Sequence, residues 1–216
     1  MRVFFQGMMI WLLCGAVFSM AEESEQRPAT VTMLSLAVEG EVITAEVEGF
    51  PEVKLRPERP VGPVGIRPGK HSVRFVKAGG KPIVRRVDLG ENEGRLFIVS
   101  PRSNSKDGSE ISVYETRSLN RDDLGDGANT RVLRIINGSA EELTIEVEGK
   151  RHSVAAKKEV MHATSSLQLR PSCDGKLLEG IDFRDLRAAT LVVFGAQEAG
   201  LRAVVLPSHL PHDSEE

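Results

Sequence analysis

The chain has 216 residues, of which 40% are apolar, 27% charged and 5% aromatic, with a formal charge of −3. That composition supplies a globular core. The near-neutral balance and the shortage of rings exclude the basic face and the stacking platforms that nucleic-acid binding draws on.

The first predicted element is a leader. Arg2 precedes the apolar run MMIWLLCGAVF at 8–18, and small Ser19 and Ala21 stand at the cleavage position before Glu22. This is the layout of a secretory signal peptide over 1–21. The apolar run is too short to span a hydrocarbon core of about 30 Å as a retained helix. A lipoprotein anchor through Cys14 is the alternative, but Leu13 occupies the place where such an anchor wants a small residue. The expectation is a periplasmic or secreted protein with no membrane span once the signal is removed. Cleavage takes Cys14 and leaves Cys173 alone, so no intramolecular disulfide forms. Cys173 lies in the turn-like string PSCDG, with no cationic neighbour to activate its thiol.

Strands follow. In ITAEVEG (43–49), Ile43, Ala45 and Val47 alternate with Thr44, Glu46 and Glu48. A period of two marks a half-buried antiparallel strand, with its glutamates on the wet face. Next comes FPEVKLRPERPVGPVGIRPGK (50–70), which carries five prolines, Pro51, Pro57, Pro60, Pro63 and Pro68. Proline stiffens extended backbone and removes ladder donors. The segment reads either as an exposed recognition arm or as an edge strand and crossover guarded against aggregation. On the first reading Arg56, Arg59, Pro60, Pro63 and Arg67 are the candidate partner-binding residues. HSVRFVKAGGKPIVRRVDL (71–89) is two β-branched runs around Ala78-Gly79-Gly80, a hairpin signal. RLFIVS (95–100) is a continuous apolar run, suited to a strand buried on both sides.

The polar string SLNRDDLGDGANT (118–130) then reads as a linker or extended turn. Beyond it the chain repeats itself at an offset of 100. TVTMLSLAVEGEVITAEVEG (30–49) and TRVLRIINGSAEELTIEVEG (130–149) share seven of twenty positions without a gap. A period of that size is a small domain rather than a solenoid unit. TLVVFG (190–195) answers RLFIVS, and GLRAVVLP (200–207) answers EISVYE (110–115). EGIDFRDLRAA (179–189) is the one place where a short helix is expected. The predicted fold is all-β: two tandem immunoglobulin-like antiparallel β-sandwiches at 30–117 and 130–208, a linker at 118–129 and a tail at 209–216.

Chemistry-bearing residues do not assemble into a recognised motif. His209 and His212 in HLPH have only Asp213 beside them, too few for a metal site. His71 and His152 flank strand positions and read as surface or edge residues. There is no G-x-S-x-G elbow. The pairs Glu46/Glu48 and Glu146/Glu148 alternate on strand faces, which suits solvation better than divided acid–base roles. Asn137-Gly138-Ser139 fits the N-glycosylation pattern, but equally a strand-end turn. No catalytic residue, metal ligand or cofactor is expected.

One resemblance is carried by residues. RVLRIINGSAEELTIEVEGK, with its Asn-x-Ser turn and V-x-x-G strand ending, and IRPGKHSVRFVKAGGKPIVRRVDLGENEGRLFIV are similar to DUF4397-like β-sandwich modules. The plan of a signal peptide, two such halves and no disulfide resembles the periplasmic accessory proteins of alginate O-acetylation. The resemblance implies a non-catalytic adaptor in exopolysaccharide assembly that bridges envelope proteins, an acyltransferase among them. SLAVEGE (35–41) departs from the pattern, lacking the Asn-x-Ser turn, and no functional residue carries over. The alternative is a secreted module that binds glycans or peptides.

Overall fold

The computed structural model describes residues 27–37, 40–102, 110–124, 127, 129–196 and 200–208. The leader expected over 1–21, with Cys14, and the tail at 209–216, with His209 and His212, lie outside the described residues. Within them the chain is all-β, with no α-helix and one 3-10 turn at Arg121–Leu124.

The N-terminal half comprises β1 (Ala29–Ser35), β2 (Ile43–Val47), β3 (Val53–Leu55), β4 (Val61–Ile66), β5 (Gly69–Lys77), β6 (Ile83–Leu89), β7 (Gly94–Pro101) and β8 (Ile111–Arg117). These form two four-stranded sheets, β4-β1-β7-β8 and β3-β2-β5-β6. Alternation sends Ile43, Ala45 and Val47 of β2 inward and leaves Glu46 in water. There they meet Val31, Met33, Phe97 and Val99 of the facing sheet. The Phe75 and Phe97 rings tilt against each other with centroids 5.5 Å apart, an aromatic contact that contributes about 0.5–1.5 kcal/mol beyond its buried area. The hairpin expected around Ala78-Gly79-Gly80 joins β5 to β6, with Gly79 at a φ of 77°.

The C-terminal half comprises β9 (Arg131–Asn137), β10 (Leu143–Val147), β11 (Lys150–Val154), β12 (Glu159–Thr164), β13 (Gln168–Leu169), β14 (Ser172–Cys173), β15 (Lys176–Leu177), β16 (Ile181–Asp182), β17 (Ala188–Ala196) and β18 (Gly200–Ser208). Its sheets are β12-β9-β17-β18 and β11-β10-β14-β15, with β13 and β16 as a separate pair. The strand order of the two larger sheets repeats that of the first half. In each half the opening strand runs parallel to the last but one: β1 beside β7, β9 beside β17. The shared EG dipeptide does not make the same turn twice. Glu148 and Gly149 both have positive φ, 51° and 76°, and close a two-residue hairpin from β10 to β11. In the first copy the connection is one residue longer, so that Ala45 faces Val53 whereas Ile145 faces His152.

A third apolar layer joins the halves. Leu34, Leu36, Leu96 and Ile98 project from the far side of the β4-β1-β7-β8 sheet onto Ile136, Val192, Phe194, Val204 and Leu206 of the β12-β9-β17-β18 sheet. The sheets therefore stack four deep. Strands β1, β7, β9 and β17 are covered on both faces, which is why RLFIVS and TLVVFG are unbroken apolar runs.

One expectation is corrected. Residues 179–189 are not helical: Ile181 and Phe183 alternate inward with β16, and only a turn follows. In the segment read as a linker or extended turn, Leu119 and Leu124 are buried with Val132 and Ala188. Asn120 and Asp123 cap the 3-10 turn reciprocally, and Asp123 takes the Arg117 guanidinium. The proline arm also has a counterpart in the second half: it supplies β3 and β4, whose places are taken there by β11 and β12.

Candidate functional site

The proline arm is the crossover between the two sheets of the first half. Pro57 bridges Ser35, the Glu58 amide donates to the Ser35 carbonyl, and β4 pairs with β1. The Glu58 carboxylate reaches the Arg202 guanidinium in the other half. Arg56, Arg59, Pro60, Pro63 and Arg67 are all exposed along this crossover. Arg67 meets a concave surface through its carbonyl, which lies 2.6 Å from His71 Nε2.

That surface is a shallow groove of about 510 Å³ on the outer face of β5 and β6, lined by Glu48, Lys70, His71, Ser72, Val84, Arg86, Val87 and Asp88. Register builds it. Lys70 stands opposite Asp88, Ser72 opposite Arg86 and Arg74 opposite Val84, so opposite charges lie side by side across the pair. Glu48 Oε2 accepts from the Ser72 amide at 3.2 Å and the Ser72 hydroxyl at 3.1 Å, which fixes one wall. Val84 is 50% exposed near the start of β6, the end strand of its sheet. Glu48 is exposed, as expected of a solvated strand face, and its hydrogen bonds to Ser72 put it in the groove wall.

The second half carries a polar chain at the matching turn, running from exposed Glu148 to two buried histidines. His162 Nε2 lies 3.1 Å from Glu148 Oε2, and His162 Nδ1 lies 3.1 Å from His152 Nε2. The rings meet edge to face at 5.2 Å between centroids. The Ser166 hydroxyl donates to the other Glu148 oxygen. These donations, the Ser166 bond first, hold the Glu148 carboxyl below the usual range. Burial, and then the fields of His162 and Lys150, lower the pKa of His152. His152 had been read as a surface or edge residue; it does lie on an end strand, but it is buried there, 7% exposed, and His162 is 5% exposed. The missed signal was parity: His152 is in phase with inward Val154, and His162 with inward Thr164. Ser166 bonds the carboxylate rather than an imidazole, so these groups do not form a nucleophile–base relay. Glu148 and His152 occupy opposite nitrogens of His162, so the three do not converge on one point as metal ligands must.

The remaining candidates are structural. Asn137 is fully buried; its Nδ2 donates to the Glu141 and Val154 carbonyls, and its Oδ1 accepts from the Ser139 amide and hydroxyl. No donor is left for a glycan, and the strand-end turn is the correct reading of NGS. Cys173 is a core residue rather than a turn thiol, its pKa pushed up to about 11 by burial and then by Asp174.

No protein-family model matches the chain, and no curated protein matches it.

Proposed function

We propose that this chain is a non-catalytic exported binding protein that holds a protein partner of the cell envelope, with the β5–β6 groove as its contact face. The observation that carries the reading is the groove itself: Lys70 beside Asp88, Arg86 beside Glu48-bound Ser72, and half-exposed Val84, with no Trp, Tyr or Phe among its described lining residues. Interleaved charges of both signs complement a polypeptide, which carries both, and set register and specificity. A glycan or other small-molecule site draws more on aromatic and apolar walls. The apolar layer between the halves supports the same reading, because a preorganised body loses little freedom on binding. The exposed arm residues Arg56, Arg59, Pro60 and Pro63 extend the contact face, and Arg67 links them to the groove through His71. The resemblance to accessory proteins of alginate O-acetylation supplies the finer proposal: an adaptor in exopolysaccharide assembly, periplasmic or secreted, whose partner is an acyltransferase.

The test is capture of envelope proteins by the full chain, with a photo-crosslinker at position 84. One specific crosslinked partner is expected. The pair Lys70→Glu with Arg86→Glu should weaken its capture by about tenfold or more, a loss of about 1.4 kcal/mol or more, without moving the thermal midpoint. Undiminished capture by the double variant removes the groove from the interface. Saturable binding of an acidic polysaccharide by calorimetry, with no protein captured, favours the glycan-binding alternative.

A further inference from the structure

We infer that His152 and His162 form a one-proton clasp that ties the edge of one sheet of the C-terminal half to the edge of the other, and that acid opens it. The clasp spans two sheets. His152 lies on β11, the end strand of β11-β10-β14-β15, and His162 on β12, the end strand of β12-β9-β17-β18. Between these strands the polar connection is the imidazole pair at 3.1 Å.

The proton inventory sets what the pair can hold. A neutral imidazole has one N–H and one lone pair. Glu148, a carboxylate, only accepts, so the His162 proton sits on Nε2. Its Nδ1 is then a lone pair, which accepts the Nε2–H of His152. One added proton is accommodated, either on the outer nitrogen of His152 or on His162 Nδ1 with the His152 tautomer reversed. A second is not, because it sets two N–H groups and two cations face to face at 3.1 Å.

The surroundings offer little relief. The residues opposite the two rings on β10 and β9 are apolar Ile145 and Leu133. The charges acting on His152 are those of His162 and Lys150, both disfavouring its cation. Arg151, the next residue, is paired outward with Glu146. Glu159, at the start of β12, accepts from the Tyr114 hydroxyl. Arg131 on β9 is turned to the Ser165 and Asn129 carbonyls. Among the described residues Glu148 is the carboxylate in contact with the pair, and of the two rings it bonds only that of His162.

The sign follows. Folding lowers the pKa of His152 and of Glu148, so the unfolded chain binds more protons than the folded one as pH falls through the ordinary imidazole and then carboxylate ranges. Stability is therefore full above the unfolded imidazole value of about 6.5 and is lost progressively below it. The loss concentrates at the β11–β12 edge.

Hydrogen exchange of the full chain from about pH 7.5 to about pH 5, corrected for intrinsic rates, tests this. Protection of β11 and β12 amides should fall about tenfold or more below about pH 6, while β2 and β5 amides keep theirs. In His162→Gln, whose amide still donates to Glu148 and accepts from His152, the local acid sensitivity should be reduced, because the His162 field on His152 is gone while its burial remains. Imidazole NMR titration of the native chain gives a second reading independent of any variant: His152 is expected to take its proton below the ordinary imidazole range. Uniform protection across the pH range, an ordinary titration of His152, or undiminished acid sensitivity in His162→Gln would overturn the clasp. The inference does not use the groove and stands or falls separately from it.

Discussion

Gly138 sits where the two halves come closest. A Cβ built on it would lie 2.8 Å from Leu36 Cδ1 and 3.3 Å from Phe194 Cβ, so the position needs the missing side chain for packing rather than for its backbone angles. Gly138→Ala should destabilise by about 1–3 kcal/mol through overpacking, read as a lowered denaturant midpoint at constant slope. Arg134 makes the opposite case, a large side chain kept inside. It is 2% exposed and donates to Thr190 Oγ1 at 3.0 and 3.2 Å and to the Arg117 carbonyl across the junction. Burial lowers its pKa, while the fields of Glu159, Tyr114 and Asp123 offset part of that cost. Arg134→Ala leaves these acceptors and a cavity behind, and should cost about 3–5 kcal/mol in the same measurement. Cys173, buried with a raised pKa, should resist alkylation in the native protein at mildly alkaline pH and react only on unfolding. Ready labelling of the folded chain would contradict its place in the core.

At the scale of elements, the strands that read most clearly were those whose environment matches a simple period. β2 and β10 alternate because one face is core and the other water, and their Ile43 and Leu143 ends are buried as the pattern requires. β7 and β17 are continuous because both faces are covered. The proline arm was ambiguous for a physical reason: Pro57 and Pro63 can lie in an edge strand that needs few donors, or in a loop that needs none. Only pairing to β1 separates the two. The packed turn at 121–124 was hidden by its polarity, since just Leu119 and Leu124 anchor it. The histidine chain was hidden by distance, for Glu148, His152 and His162 meet only when strands of different sheets come together. A weak surface ion pair should matter little by comparison. Glu58→Ala, which removes the partner of Arg202, should change stability by no more than about 1 kcal/mol, because both side chains remain partly in water.

For the whole molecule, the layer between the halves decides how it behaves. Leu34, Leu36, Leu96 and Ile98 would be an exposed apolar patch on an isolated first half, the kind of surface that drives association. Ile98→Lys places a charge in that layer and should lower one shared unfolding transition, not split it in two. Calorimetry of the full chain checks this, and two resolved transitions in the parent protein would show the halves to be independent. The parallel placement of β1 has a consequence for the order in which the chain acquires its shape. Thr30 rests against Gly94, and β1 lies between β4 and β7. β1, the first strand among the described residues, therefore waits for one made some sixty residues later, and closing so long a loop is entropically slow. Its other face waits longer still, until Val204 and Leu206 of β18 arrive. β1 thus completes its pairing late, and a nascent chain stalled before residue 94 carries its β7 edge unpaired and its far face uncovered.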